Sequence, residues 1–475
     1  MKHLLWVTLL LLTLGVQARG GKAITSTASR TQVFEKSRVK TSKKALGTVI
    51  SIDASRTFQT IDGFGAALTG SSCYNLMRMT EADRTALLRR TFSPTDGLGF
   101  SYIRVSIGCS DFSLSEFTCC DTPGIEHFAL TSEDTQYVIP ILREILAINP
   151  SILILGSPWT CPRWMKVNNL EELQPFESWT SGQLNPKYYQ DYAQYFVRWI
   201  QAFEAAGIPI YSITVQNEPL NRGNSASLFM GWQEQQAFIG QALGPALRRA
   251  GLQTKLYAFD HNYNYDRMAD QQQYPLRVYD DEVAAAFLTG AAYHNYGGNR
   301  RELLRIGEAR PDKELIFTET SIGMWNDGRN LERRLTDDMR EVALGTINNG
   351  CRAVIVWNFM LDTDRGPFRP GGCGTCYGAV DLNRDDLRTV TLNSHYYIIG
   401  HLSCVARPGA VRIAADYEQP RDGLMCSAFR NTDGTTAAVI LNEKEQQQTV
   451  SLTAGNGRYI NVPIPARAVC SVQWK

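Results

Sequence analysis

Apolar positions along the chain follow two alternating patterns that predict an α/β fold. Short apolar, β-branched runs, typical of buried parallel strands, alternate with longer segments whose apolar residues recur every three or four positions, typical of helices. The strand candidates are Thr60–Ala66, Tyr102–Ile107, Ile152–Ser157, Tyr211–Gln216, Thr254–Phe259, Ala291–His294, Leu315–Thr318 and Ala353–Trp357. Eight strands separated by helices predict a closed (β/α)8 TIM barrel.

The clearest helix is predicted after Asn185-Pro186, a polar cap followed by proline in the first turn, and it should end at Gly207. Its aromatic residues recur at helical spacing: Tyr188, Tyr192, Tyr195, Trp199 and Phe203. Such a stripe predicts packing against the core of the barrel and not a cofactor site.

A second domain is predicted after about Cys404, where the helical pattern stops. Short alternating runs separated by Asp-Gly and Asn-Gly turns indicate an antiparallel β-sandwich. The strand-like segment 47–60 has no place in the barrel, so it is assigned to the sandwich with 403–475, while 61–402 forms the barrel. Residues 19–46, rich in Ser, Thr, Lys and Arg, are interpreted as a flexible tail.

The first 18 residues predict a secretory signal peptide. A basic start, an apolar run and small residues before a cleavage point near Ala18 fit this interpretation better than a retained membrane anchor. No later stretch approaches the roughly 20 apolar residues of a membrane span. The sequence has no Asn-x-Ser/Thr glycosylation site, which favours a secreted or periplasmic bacterial protein over a lysosomal one.

Composition is that of an ordinary folded protein. Of its 475 residues, 44% are hydrophobic and 20% charged, and the net charge of +1 gives no reason to expect nucleic acid or an anionic membrane as a partner. Eleven cysteines leave at least one thiol unpaired. Cys373 and Cys376 have the spacing of a redox pair or half a zinc site, but a loop staple or reduced thiols are favoured.

Two glutamates carry the candidate chemistry. Glu218 and Glu319 each follow a predicted buried strand, and about three strand–helix units of roughly 30 to 35 residues separate them. They therefore belong at the carboxyl ends of strands four and seven. Paired carboxylates at that end of a barrel suit the cleavage of glycosidic bonds. Each glutamate taken alone could be an ordinary polar residue of a turn.

Seven motifs at strand ends strengthen this hypothesis. In order, they are QTIDGFGAALTGSS from Gln59, GCSDFS from Gly108, SPWTCPRWM from Ser157, TVQNEP from Thr214, YHNY from Tyr293, FTETS from Phe317 and VWNFML from Val356. This set resembles glycoside hydrolase family 30, in particular its glucosylceramidase branch, and the similarity covers essentially the whole chain after the signal peptide.

The resemblance implies a retaining β-glycosidase without cofactor or metal, in which Glu218 is the general acid/base and Glu319 the nucleophile. Glu218 should then be protonated near neutral pH, with a raised pKa, while Glu319 should be ionised with help from Tyr296. The implied substrate-binding residues are Asp111, Trp159, Asn217, His294, Tyr296, Trp357 and Asn358. For His294, a structural role is as well supported as a substrate contact.

The substrate is left open by two departures from the glucosylceramidase pattern, the 362–377 loop and the 221–225 segment, which resembles bacterial members. The main expectation is a glucosylceramide-type β-glucoside, and hence sphingolipid metabolism; the alternative is an endo-β-1,6-glucanase, and the third hypothesis is a non-catalytic carbohydrate-binding protein. Residues 260–266 resemble a calcium loop but lack its glycine and final glutamate, so we expect them to line the cleft. The sequence does not indicate an oligomeric state.

Overall fold

The computed structural model describes residues 20–263, 268–417 and 423–475, so the predicted signal peptide lies outside the described residues. Its centre is a closed barrel of eight parallel strands, numbered here one to eight in chain order. They are Gly63–Ala67, Tyr102–Ile107, Leu153–Pro158, Ser212–Thr214, Lys255–Asn262, Gly290–His294, Glu314–Glu319 and Cys351–Val356. Each pairs with its neighbours in the chain, and strand eight pairs with strand one. The predicted TIM barrel is confirmed.

Helices surround this barrel. They are Gly70–Arg78, Glu81–Phe92, Ile139–Ile148, Tyr189–Ala205, Trp232–Phe238, Gly244–Arg249, Tyr274–Tyr279, Glu282–Phe287, Arg301–Ala309, Leu331–Asp338, Leu344–Asn348 and Ser394–Ser403. Three π-helical segments join or extend them: Asp134–Val138, Ile239–Leu243 and Met339–Ala343. No helix in the described ranges is long and apolar enough to span a lipid bilayer.

The helix after strand three illustrates how the sequence builds this layer. The Asn185 side chain accepts a hydrogen bond from the backbone N–H of Lys187, as a helix cap does, and the helix runs over Tyr189–Ala205. Four residues of its aromatic stripe, Tyr192, Tyr195, Trp199 and Phe203, are buried, while Tyr188 precedes the helix and is partly buried. Trp199 packs so closely on strand three that a Cβ at Gly156 would lie 2.7 Å from its ring. The predicted core packing is confirmed.

The second domain is built on a ten-stranded sheet among the described residues. In sheet order its strands are Glu35–Val39, Gly21–Thr27, Ala468–Trp474, Thr436–Asn442, Leu424–Arg430, Val411–Tyr417, Thr48–Thr60, Gln448–Thr453, Tyr459–Ile464 and Thr41–Ser42. The strand Thr48–Thr60 pairs with two strands of the C-terminal segment, as predicted. Further short strands in the barrel loops are Lys166–Val167, Gln183–Leu184, Ile322–Gly323, Met360–Asp362, Cys376–Tyr377, Val380–Leu382 and Val390–Leu392.

The predicted flexible tail at 19–46 is wrong over its described part. Gly21–Thr27 and Glu35–Val39 form a hairpin, and the first of these strands pairs along its length with Ala468–Trp474. The hairpin buries Ala23 and Val39 in the core of the sandwich. Because only isolated apolar residues alternate with charged ones, the segment has the composition of a linker although it is part of a sheet.

The cysteines agree with the interpretation favoured from the sequence, a loop staple or reduced thiols. Cys373 and Cys376 form a disulfide that closes a small loop after strand eight. The other nine cysteines are buried thiols.

Phe34 couples the hairpin to the barrel, because its ring stacks on Tyr397 at 5.3 Å and on His401 at 5.0 Å, both in the helix Ser394–Ser403. We expect Phe34→Ala to lower the free energy of unfolding by about 2 to 4 kcal/mol, as large-to-small changes in packed sites do. Denaturant unfolding measures the loss, and Val33→Ala, at a side chain 39% exposed, is the control. Equal effects of the two changes would show that the hairpin is not docked.

Candidate active site

The two glutamates meet at the carboxyl end of the barrel. Glu319 is the last residue of strand seven, and Glu218 follows strand four. One oxygen of each carboxyl group and a ring nitrogen of His294 all lie within 4.8 Å of one another, and all three side chains are buried. The predicted pair is therefore brought together, at a separation short enough for direct attack on a sugar carbon held between them.

Irregular backbone aims these side chains into the barrel mouth. Glu218, Asp260 and Asn358 have φ values of 44°, 64° and 56°, in the left-handed region that residues other than glycine rarely adopt. Asp260 also sits in a register shift between strands five and six, and Thr318 in one between strands six and seven. Bulges and strained residues of this kind are concentrated at active sites.

Beneath the glutamates lies a fully buried ion pair between Arg104 and Asp260. Arg104, on strand two, donates hydrogen bonds to Asp260 Oδ2 at 2.8 Å, to Asn217 Oδ1 at 2.8 Å and to Glu319 Oε2. Although burial opposes it, the Arg104 charge and the hydrogen bonds around Asp260 hold the pKa of that carboxyl well below its usual range. Asp260 is thus a fixed negative charge.

Glu319 receives two donors. Besides Arg104, the Tyr296 hydroxyl donates to its Oε1 at 3.0 Å, so the expected contact is present. Burial raises the pKa of Glu319, while the positive charges of His294 and Arg104 oppose that increase.

Glu218 has surroundings that differ from the sequence-based expectation. Its Oε1 lies 3.1 Å from His294 Nδ1, and its Oε2 accepts hydrogen bonds at 2.8 Å from the side-chain amides of Asn221 and Asn224. Burial alone raises its pKa, but the His294 hydrogen bond and nearby positive charge lower the pKa to about 2. The expected raised pKa is therefore wrong for this state of the site, because three donors favour the carboxylate.

His294 holds Glu218 in place and has no ring nitrogen free to hydrogen-bond a sugar. Its Nε2 lies 3.0 Å from Asp260 Oδ1 and its Nδ1 faces Glu218, so both ring nitrogens are engaged. The assignment of His294 as a substrate-binding residue is corrected to a positioning role. Although burial lowers it, the charges of Glu319 and the neighbouring carboxylates raise the pKa of His294 to about 9.

An aromatic wall lies beside the pair. Trp159 and Trp357 stack at 5.0 Å with an interplanar angle of 28°, and the Arg104 guanidinium lies 4.9 and 5.5 Å from their ring centres. Asp111, after strand two, is partly buried and precedes Phe112, whose ring lies 6.3 Å from that of Trp357. Burial and the Glu319 charge raise the pKa of Asp111 to about 8. Aromatic faces with a neutral carboxyl group suit the C–H face and hydroxyls of a pyranose.

Two predicted amides are oriented by their carbonyl oxygens. Arg104 engages Asn217 Oδ1, which leaves the NH2 group of Asn217 as the donor for a ligand. Asn358 accepts from the Thr69 hydroxyl at 3.0 Å, and its buried Nδ2 has no hydrogen-bond partner among the described residues. Both residues can therefore donate to sugar hydroxyls.

The cluster of Glu218, His294 and Glu319 also has the spacing of a metal site. Each of these side chains already makes hydrogen bonds to protein groups, namely Asp260, Arg104, Tyr296, Asn221 and Asn224. The arrangement is explained by these contacts, and the sequence-based expectation of a metal-free enzyme stays a prediction.

Sequence reasoning missed Arg104, Asp260 as an ion-pair partner, Asn221 and Asn224. The signal for Arg104 was available, since a lone arginine inside the apolar run Tyr102–Ile107 must be paired if the strand is buried. The predicted cleft-lining segment 260–266 contributes Asp260, while its residues 264–266 lie outside the described part.

Comparisons with known proteins agree with this geometry. The model of the glycosyl hydrolase family 30 TIM-barrel domain matches residues 61–403, and that of the family's β-sandwich domain matches 409–472. The solved structure of the endo-β1,6-glucanase BT3312 is 60% identical, with a TM-score of 0.94, and the match covers 96% of this chain and 99% of that one.

More distant relatives have two different activities. The endo-1,6-β-D-glucanase BGN16.3 of Trichoderma harzianum is 30% identical over 431 residues, covering 86% of this chain and 83% of its own. The lysosomal acid glucosylceramidase of Mus musculus is 24% identical over 465 residues, covering 92% and 85%.

A charged His294 stabilises the fold below its ordinary pKa of 6.5, and this contribution is lost as the pH rises towards 9. We expect His294→Gln to destabilise the protein at about pH 6 but much less at about pH 9.5, where the wild-type imidazole is neutral. Denaturant midpoints at both pH values test this, with the half-exposed His127→Gln as control. If the denaturant midpoints of wild type and His294→Gln differ by the same amount at both pH values, a charged His294 is excluded.

Proposed function

The chain belongs to glycoside hydrolase family 30, and on that basis we propose that it is a retaining endo-β-1,6-glucanase exported from the cell. The reaction needs a nucleophile and an acid/base on opposite sides of the scissile bond, and Glu319 and Glu218 have the spacing for these roles. Both glutamates are present and hydrogen-bonded, which argues against a non-catalytic carbohydrate-binding protein.

In the first step, Glu319 attacks the anomeric carbon while the bond from that carbon to the glycosidic oxygen breaks. Glu218 gives its proton to the departing oxygen. Arg104 and Tyr296 hold the Glu319 carboxylate against rotation, so its free lone pairs are presented to the sugar. The NH2 group of Asn217 is placed to donate to the 2-hydroxyl, an interaction that strengthens in the transition state.

In the second step, water enters from the side that the leaving group vacated. Glu218, now a carboxylate, takes a proton from this water as it attacks the anomeric carbon, and Glu319 is released. The sugar leaves with its original β configuration because each step inverts it once.

His294 supplies the proton that the first step needs. Three buried carboxylates, Asp260, Glu218 and Glu319, surround two buried cations, Arg104 and His294, so moving a proton from His294 to Glu218 leaves the net charge of the cluster unchanged. His294 Nε2 must donate to the Asp260 carboxylate. A proton on Nδ1 can therefore move across the 3.1 Å hydrogen bond to Glu218. His294 thus supplies the proton that Glu218 needs as the acid.

The observation that carries the β-1,6 linkage is the 60% identity to the endo-β1,6-glucanase BT3312 over nearly the whole of both chains. The sequence alone favoured a glucosylceramide-type substrate, yet the mouse glucosylceramidase is only 24% identical. We therefore prefer the glucan, and we retain glucosylceramide as the second candidate because the catalytic motifs are shared. Export, as a secreted or periplasmic enzyme, rests on the predicted signal peptide.

Product analysis on linear β-1,6-glucan and on glucosylceramide tests the proposal directly. We expect a ladder of short oligosaccharides from the glucan, first appearing as β anomers, and little glucose from the lipid. Glu319→Gln removes the nucleophile and should lower the rate at least about a thousandfold, so it serves as the blank. Glucose and ceramide from the lipid, with intact glucan, would instead support the glucosylceramidase function.

The acid role of Glu218 has its own test. Glu218→Ala should slow cleavage of glucan by about a thousandfold or more but slow an activated aryl β-glycoside far less, because that leaving group departs without protonation. Azide should restore turnover of the aryl substrate by replacing water in the second step. Equal losses on both substrates would contradict the assignment.

A further inference from the structure

Two hydrogen bonds to Glu218 have no role in the proposed mechanism. Asn221 and Asn224 both direct side-chain N–H groups at Glu218 Oε2, each at 2.8 Å. Oε1 is already engaged by His294. The two amides thus occupy both lone-pair positions of Oε2, so this oxygen is not available to a substrate while both contacts are made.

The two amides differ in how firmly they are held. Asn221 is fixed through both its side chain and its backbone. Its Oδ1 accepts a hydrogen bond from the backbone N–H of Gly223 at 2.9 Å, and its backbone N–H donates to the carbonyl of Glu218 at 2.9 Å. The Oδ1 of Asn224 has no hydrogen-bond partner among the described residues, and the side chain is partly exposed. Asn224 is therefore the amide that can exchange its partner.

The residue next to Asn224 is nevertheless anchored to a neighbouring loop through its side chain. Ser225, next to Asn224, accepts a hydrogen bond at 3.0 Å from Arg369, a fully buried residue of the loop after strand eight. Arg369 also donates to the carbonyl of Ser110 at 2.8 Å and pairs with Glu116. The loops after strands two, four and eight are thus joined, and Asn224 is presented from a fixed position.

We propose that Asn221 and Asn224 form the first leaving-group subsite, where hydroxyls of a sugar replace Glu218 as the partner of the Asn224 amide. This inference rests on the proposed function. The acid must touch the glycosidic oxygen, so the groups hydrogen-bonded to Oε2, the oxygen that does not face His294, are the first protein atoms that the departing sugar meets. This places the glycone on the other side of Glu218, where Trp159 and Trp357 are stacked.

The chemistry of the subsite selects the leaving group. A sugar brings hydroxyls that donate to the free Oδ1 of Asn224 and accept from its NH2. An apolar leaving group, such as a lipid chain, would cover the Asn224 amide without offering it a donor or an acceptor, and leaving a polar group unpaired away from water is costly. The subsite therefore favours an oligosaccharide over a glycolipid.

Exchange of the Asn224 contact also prepares the acid. Once one donor leaves Oε2, the ionised form of Glu218 is less favoured, so the carboxyl group can take up on Oε1 the proton that His294 Nδ1 gives. The proton is then delivered to the glycosidic oxygen as the bond to the anomeric carbon breaks. Binding of a sugar leaving group and readiness of the acid are coupled through a single side chain.

Asn224→Ala tests the subsite with two substrates that share a glycone, a β-1,6-linked gluco-oligosaccharide and the matching 4-nitrophenyl glycoside. We expect kcat/KM to fall about tenfold or more for the oligosaccharide and less than about threefold for the aryl glycoside. Arg222→Ala is the matched control, since that side chain lies over the Phe229 ring at 3.7 Å, and both rates should be unchanged.

A second readout follows from the lost donor. With one hydrogen bond to the carboxylate removed, Glu218 should keep its proton to higher pH, so the alkaline limb of kcat/KM on the oligosaccharide, whose leaving group needs that proton, should move upward in Asn224→Ala. Equal losses on the two substrates, with an unmoved alkaline limb, would overturn the proposal.

Transfer to a sugar acceptor separates this inference from the glucanase assignment. With the aryl glycoside as donor, gentiobiose added as acceptor should give a transfer product, and Asn224→Ala should lower the ratio of transfer to hydrolysis about tenfold. If the wild-type enzyme leaves β-1,6-glucan intact but the ratio falls as expected, the linkage is wrong and the subsite stands. An unchanged ratio would overturn the subsite whatever the glucan result.

Discussion

The buried ion pair of Arg104 and Asp260 is the contact on which the rest of the site depends. Removing two charges from water is costly, and their mutual attraction compensates only when their remaining hydrogen-bonding groups are satisfied. Here Asp260, on strand five, accepts from Arg104, Ser157, Thr214, Thr318 and His294, which lie on strands two, three, four, seven and six. One carboxylate therefore ties most of the barrel together beneath the catalytic pair.

This interaction matters for orientation more than for stability. Because Asp260 stays ionised, His294 must present N–H to it from Nε2, and this fixes which nitrogen faces Glu218. The other half of the ion pair, Arg104, holds Glu319 in the same way. The positions of the acid and the nucleophile are thus both fixed by one buried network, the acid through His294 and the nucleophile through Arg104. This explains how side chains that follow strand four and end strand seven keep a fixed separation.

Most of the barrel and both glutamates could be predicted because their signals are local. A buried strand is a short apolar run, and a carboxylate at its end is visible without its neighbours. Signals that arise from remote partners were not accessible. The Gly21–Thr27 strand depends on pairing with Ala468–Trp474. Likewise, the low pKa of Glu218 comes from hydrogen bonds of His294 and loop amides that no sequence spacing reveals.

The division of labour between strands and loops explains how one barrel can serve different leaving groups. The ion-pair network constrains strand residues so tightly that changing one leaves a buried charge unpaired, and this cost preserves the catalytic pair. The loops after strands four and eight meet at the Arg369–Ser225 hydrogen bond, outside that network. They can change the polarity beside Glu218 without disturbing Asp260. Specificity for the leaving group is therefore free to vary in the loops while the chemistry stays fixed in the strands.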